Sequence, residues 1–248
     1  MTDQQKLILG NPEGLWDPTN RRTFLKLMAV GGSVVLLPSM VGGCRSRDSI
    51  TDPTDPGSGN IVTIDFSKGD IAVLQFALAL EQLEADFYTR VVDNFSSSDL
   101  TNAEKDVLTD IKYHEVLHRD FLRQALGSEG TFTLTPTYPG VNFRQRTSVL
   151  NTAKTFEFLG VAAYNGAAQY LSNVNNLLAA GKIVSVEARH ASVIADLLAP
   201  RTNAFAPQAF ADAFSPQKVA TAAQGFLVDK LMFANPPGTF VQGPNNNG

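Results

Sequence analysis

Residues 81–88 read Glu81-Gln82-Leu83-Glu84-Ala85-Asp86-Phe87-Tyr88, and residues 157–164 read Glu157-Phe158-Leu159-Gly160-Val161-Ala162-Ala163-Tyr164. In both, a glutamate precedes a tyrosine by seven positions, and each stretch is followed by a Glu-x-x-His pair, Glu115/His118 after the first and Glu187/His190 after the second. A helix advances about 100° per residue, so positions seven apart fall within about 20° of each other and share a face. Each tyrosine hydroxyl then sits two turns along, within reach of a carboxylate. Positions i and i+3 are also face neighbours, so each Glu-x-x-His pair can offer an oxygen and a nitrogen to one ion. Four carboxylates and two imidazoles in this order are the donor set that a four-helix bundle uses to hold two metal ions in its core. Carboxylate with imidazole suits iron or manganese, and no thiolate is in the pattern.

Chance does not account for the repeat. The chain has three histidines and eight glutamates in 248 residues. Two histidines with a glutamate three positions earlier would arise by accident in roughly three sequences per thousand, before the Glu/Tyr pairs are counted.

The helices can be drawn around these motifs. Apolar positions Ile71, Leu74, Leu78, Phe87 and Val91 recur at helical spacing from about Asp70 to Asp93, with Asp70 as the expected cap. Thr101 and Glu104 form a capping-box pattern for a second helix carrying Val107, Ile111, Phe121 and Leu122 and ending near Gly127. Residues 127–147 have no helical period and are long for a loop, which suits a crossover along the bundle. A third helix is expected over about Ser148 to Val174 and a fourth over about Lys182 to Leu198, with a turn around Gly181. An amphipathic segment from about Pro216 to Leu231 predicts a fifth. The fold class is all-α.

The N-terminus carries a different message. Asn20-Arg21-Arg22-Thr23-Phe24-Leu25-Lys26 resembles a twin-arginine export signal, with Arg21 and Arg22 as its pair. The apolar run Leu27 to Leu37 is too short to span a bilayer. Val41-Gly42-Gly43-Cys44 resembles a lipobox, which makes the single cysteine, Cys44, a lipidation site rather than half of a disulfide. Residues 1–44 are therefore expected to be a lipoprotein signal and 45–64 a flexible tether. Residues 65–200 would form the bundle and 201–248 a C-terminal extension. Location in the cell envelope or periplasm, anchored to the membrane by lipid, follows as an expectation. A net charge of −4 without a basic cluster in the mature chain argues against nucleic acid as a partner.

The strings ALALEQLEADFY, HEVLHRDFL, FEFLGVAAYNGAAQYL and VEARHASVI resemble the four helices of the ferritin-like domain proteins, the superfamily of bacterioferritin, rubrerythrin and manganese catalase. The resemblance is nearest to its exported bacterial branch and covers about residues 65–230. It implies a ferritin-like four-helix bundle with a long crossover between helices two and three, and a dinuclear site of two iron ions or two manganese ions. Glu81 and Glu157 would match the single carboxylates of helices one and three. Glu115 and Glu187 would bridge the ions, His118 and His190 would each cap one, and Tyr88 and Tyr164 would hydrogen-bond to ligand carboxylates. Glu84, about 60° round the helix from Glu81, is a supporting or alternative ligand. The implied activity is oxidoreduction of a small oxidant such as peroxide or oxygen, or oxidation of Fe(II). No Cys-x-x-Cys pair is present, so a self-contained electron supply of the rubrerythrin kind is not expected and the electrons would come from a separate, unknown donor.

Two competing readings are weighed. A non-catalytic envelope lipoprotein would use the bundle as a scaffold. His114-Glu115-Val116-Leu117-His118 also matches the HExxH signature of zinc hydrolases. That motif would need Glu129 or Glu157 as a third ligand, lacks the glycine of the extended form (Phe121 stands there), and leaves Glu187 and His190 without a role. In the bundle, His114 is expected beside the site or at the surface rather than on the metal.

Overall fold

A computed structural model describes residues 59–244. Arg21, Arg22, Cys44 and the tether up to residue 58 lie outside the described residues. The described chain runs β1 (Ile61–Asp65), α1 (Asp70–Asp93), α2 (Asn102–Gly130), α3 (Arg146–Ala167), α4 (Val174–Leu198), α5 (Pro216–Ala223) and β2 (Lys230–Ala234), with short 3-10 turns between some of them. The bundle is made by α1 to α4. Helix α1 packs along α2 and α3 along α4, and their buried apolar faces, from Phe76 and Leu83 on α1 to Phe156 on α3 and Ile194 on α4, form the core.

Two polar anchors fix the direction of each helix. Asp70 is the first residue of α1, and its carboxylate accepts hydrogen bonds from the Ser172 and Asn173 amides and the Asn176 side chain at 2.8, 3.1 and 2.8 Å. The start of α1 therefore meets the start of α4. At the other end Arg146, the first residue of α3, donates to Glu104 in the first turn of α2 (2.6 Å) and to the Leu197 carbonyl near the end of α4 (2.7 Å). Helices α1 and α4 thus run one way, and α2 and α3 the other. The connection from α2 to α3 must cross the full length of the bundle, as the sequence predicts.

The expected N-cap role of Asp70 is corrected by this arrangement. Gly69 occupies the N-cap of α1, and Asp70 instead satisfies orphan amides at the α4 start, where Asn173 is the side-chain cap. Those bonds also move the α3–α4 turn. It lies at residues 171–173 rather than around Gly181, so α3 is shorter than expected and α4 begins at Val174. Gly181 is inside α4 in open space, a tolerated cost of about 1 kcal/mol relative to alanine. The capping box at Thr101 and Glu104 is present as expected. Regular α geometry in α2 is interrupted at Gly127, near the expected end. Ile71 and Phe121, expected on core faces, are 50% and 43% exposed.

The C-terminal segment differs most from its expected form. The fifth helix stops at Ala223, and β2 then pairs in parallel with β1, Ile61 opposite Lys230 through Asp65 opposite Ala234. Asp229, fully buried, accepts from the Asn60 amide (2.8 Å) and the Thr135 amide (2.5 Å). One carboxylate so joins the start of the described chain, the crossover and the C-terminal strand. The segment before α5 lies against α3, where the Phe214 amide donates to the Ala162 carbonyl at 2.9 Å. This approach requires Gly166, because a Cβ there would stand 1.9 Å from the Phe214 carbonyl oxygen.

No described helix is long and apolar enough to cross a membrane.

Candidate metal centre

Seven titratable side chains converge on the middle of the bundle: Glu81 and Glu84 from α1, Glu115 and His118 from α2, Glu157 from α3, and Glu187 and His190 from α4. All are buried except His118, whose side chain is 14% exposed. Two groups able to hold an ion are present, Glu81/Glu115/His118/Glu187 and Glu115/Glu157/Glu187/His190, with the ligand atoms of each within 4.8 Å of one another. Glu115 and Glu187 are common to both groups. The two Glu-x-x-His pairs and the two single glutamates expected from the sequence are thus brought together as one six-residue cage.

The tyrosines are wired across the two halves. Tyr164 of α3 donates to Oε1 of Glu81 on α1 at 2.6 Å, and Tyr88 of α1 donates to Oε1 of Glu157 on α3. Burial, then the neighbouring carboxylates, push both phenols well above their ordinary value, so both stay protonated and act as donors. With one oxygen held, Oε2 of each glutamate is left facing inward.

A count of the buried polar atoms that lack a hydrogen bond defines what the cage is for. Among the described residues they are Oε2 of Glu81, Oε2 of Glu157, both oxygens of Glu115, both oxygens of Glu187, and Nδ1 of His118 and of His190, together with Nε2 of Gln82, outside the cage. His118 Nδ1 lies 2.9 Å from Glu187 and His190 Nδ1 2.8 Å from Glu115, but neither contact has hydrogen-bond alignment. A buried polar group left without a partner costs about 1–3 kcal/mol, so this many inward-facing ligand atoms call for positive charge at the centre of the cage. The same atoms divide into four donors for each of two cations: one terminal carboxylate oxygen, one imidazole nitrogen and one oxygen from each shared glutamate. Two divalent ions would also balance the four carboxylates in charge. The residues present therefore fit a dinuclear metal centre.

The electrostatics of the cage side chains point the same way. Burial penalises the His190 imidazolium, yet Glu115 and Glu157 outweigh it and hold the ring protonated up to about 10. His118, against the same burial, is raised still further by Glu115, Glu187 and Glu81. Burial raises Glu115 to about 7, and burial with the field of Glu115 and Glu81 raises Glu187 well above the carboxylate range.

Glu84 occupies space made for it by the other half of the repeat. Its counterpart three residues after Glu157 is Gly160, and a Cβ at Gly160 would come within 3.0 Å of Glu84 Oε1. Burial, followed by Glu187, Glu115, Glu157 and Glu81, raises the Glu84 carboxyl well above its ordinary value. It lies beside the two ion groups and belongs to neither.

His114 stands beside the site and at the surface, as the sequence predicts, and the structure supplies its partner. Its Nδ1 lies 2.9 Å from Nε2 of His190, the nitrogen remote from the cage, and the rings lie side by side, centroids 5.1 Å apart and 9° between their planes. It is exposed at the surface. The HExxH geometry is not formed, since His114 and His118 do not converge on one ion group. Helical spacing puts His114 on the face of His118; only the packing of α2 on α4 shows that it meets His190.

The ferritin-like domain family model matches residues 69–200, just over half of the chain and all four bundle helices. The chain belongs to the ferritin-like domain family. No curated protein matches it.

Proposed function

We propose that the chain is a dinuclear iron or manganese oxidoreductase acting on oxygen, peroxide or Fe(II), exported by the twin-arginine route and anchored through a lipid on Cys44. The eight buried ligand atoms that converge at the bundle centre without a hydrogen bond carry the metal reading. Residues Glu81, Glu115, His118 and Glu187 would hold one ion, and Glu115, Glu157, Glu187 and His190 the other. When bound, two such ions supply one electron each, which with two protons reduce O2 to H2O2 or H2O2 to two waters.

The protein's own groups prepare this chemistry. The Tyr88 and Tyr164 hydroxyls fix which oxygen of Glu157 and Glu81 faces inward. Burial excludes bulk water and strengthens the electrostatics between the remaining groups. Carboxyls whose affinity for protons is raised, Glu84 first, can keep a proton at the edge of the cage.

The test is oxidation of Fe(II)-loaded protein by O2 and by H2O2, followed optically, for wild type and Glu115→Gln. Loss of at least about a hundredfold in rate with the helical fold retained supports the reading. Wild-type protein that loads iron and reacts with neither oxidant overturns it. For the anchor, Cys44→Ala should move the protein from the membrane fraction to the soluble envelope fraction; an unchanged distribution refutes lipidation there.

A further inference from the structure

The crossover, α5 and the strand pair all pack on α1 and α3, through Tyr138 on Leu83, Phe226 on Phe156 and Phe233 on Phe76. The outward face shared by α2 and α4 is left with Tyr113, Leu117, Phe121, Val174 and Leu178 at 55, 44, 43, 62 and 57% exposure. We propose that this face is the interface of a two-fold homodimer, with α2 of each copy seated on α4 of the other.

The spacing on both helices suits a helical partner. Tyr113, Leu117 and Phe121 follow one another by four positions, a single stripe along α2. On α4 the exposed positions Val174, Leu178, Gly181, Ser185 and Ala188 alternate steps of four and three, the spacing of a seam between packed helices. The second half of that seam is small, and a Cβ at Gly181 would meet nothing within 4 Å. One stripe is bulky and the other hollow. Two neighbouring helices make a strip about 20 Å wide, and about 15 residues of each make it about 22 Å long. With the relief of its side chains such a strip approaches the surface of about 800 Å2 that each partner buries in a standard interface.

Symmetry makes the two stripes fit. Within one copy His114 is level with His190 and Phe121 with Ala180, because the first pair touch and the second line one cleft. A two-fold axis parallel to the helices leaves every residue at its own level. It brings α2 of one copy antiparallel onto α4 of the other, and repeats each contact on the far side of the axis. Phe121 then meets Gly181, Leu117 meets Ser185 and Tyr113 meets Ala188, a large side chain against a small one each time. The charges match as well, with Asp120 opposite Lys182 and Asp110 within one turn of Arg189. His114 lies between Tyr113 and Leu117, so the second copy would also cover the solvent side of the His114–His190 contact beside the cage.

Leu117→Cys and Ser185→Cys test the pairing at two exposed positions. A disulfide needs Cα atoms within about 7 Å, so the two variants produced together should give at least about tenfold more covalent dimer than either alone. Sedimentation velocity of the full chain in mild detergent should show a dimer. Leu117→Arg and Ser185→Arg should each raise its dissociation constant about a hundredfold or more, with the helical circular dichroism unchanged. A monomeric wild type, a dimer indifferent to both arginines, or equal cross-linking by either cysteine variant alone overturns the proposal. If that monomer also shields Leu117→Cys from a maleimide, residues 1–58 of the same chain cover the face instead. None of these readouts needs bound metal, so the result stands apart from the redox reading.

Discussion

At the scale of single residues, the two halves of the cage are alike in their ligands and unlike in what surrounds them. His190 has its remote nitrogen held by His114, whereas among the described residues no hydrogen bond is made by the remote nitrogen of His118. A hydrogen bond at the far nitrogen fixes a ligand imidazole in tautomer and orientation, and its loss typically costs 10–100-fold in metal affinity. His114→Ala is accordingly expected to weaken one of two binding events by about 10–100-fold in a calorimetric Mn(II) titration and to leave the other unchanged. Equal weakening of both, or of neither, would show that His114 is only a surface group. The residues of the cage were legible in sequence because helical spacing alone places Glu115 beside His118 and Glu187 beside His190. Neither the His114–His190 contact nor the crossing of Tyr88 to Glu157 was legible, since both join residues about seventy positions apart through packing between helices.

At the scale of elements, polar side chains at helix starts do the aligning. Asp70 is half-buried, and its carboxyl is held well below the ordinary carboxylate value, first by its bond to Ser172, with further bonds to Asn173 and Asn176. Asp70→Ala removes what caps the α4 start from a neighbouring helix, and loss of a cap of this kind costs about 1 kcal/mol. Chemical denaturation should show a lower midpoint with an unchanged slope; no shift would mean that water replaces the carboxylate without cost. Sequence reasoning found all four bundle helices because each is long and periodic. It misplaced the α3–α4 turn because glycine marks turns on average, while the actual turn is set by Asp70 from a hundred residues away. The β1–β2 pair was unreadable for the same reason. A parallel pairing between Ile61 and Lys230 leaves no local trace beyond a short extended stretch.

At the scale of the whole molecule, the metal-free fold carries an electrostatic burden that depends on pH. Folded Glu115 holds its proton to about 7 against an ordinary 4.5, and folded His190 to about 10 against 6.5. Both values are raised, so each group's contribution is fully present below its unfolded value and is lost as pH rises through the folded one. The metal-free chain should therefore lose thermal stability steadily between about pH 5 and 10. Metal displaces those protons, so the gap in Tm between metal-loaded and metal-free protein should widen over the same range. A metal-free Tm that is flat or rising there would contradict this assignment of charge.

The central claim is that one buried cage, assembled from both halves of a sequence repeat, holds two ions. Its most direct test is the metal content of the purified protein produced with iron and manganese both available. About two iron or manganese ions per chain, lost in Glu115→Ala while the helical fold persists, is the predicted result. A single zinc per chain, or a folded chain that binds none of these metals, would contradict it.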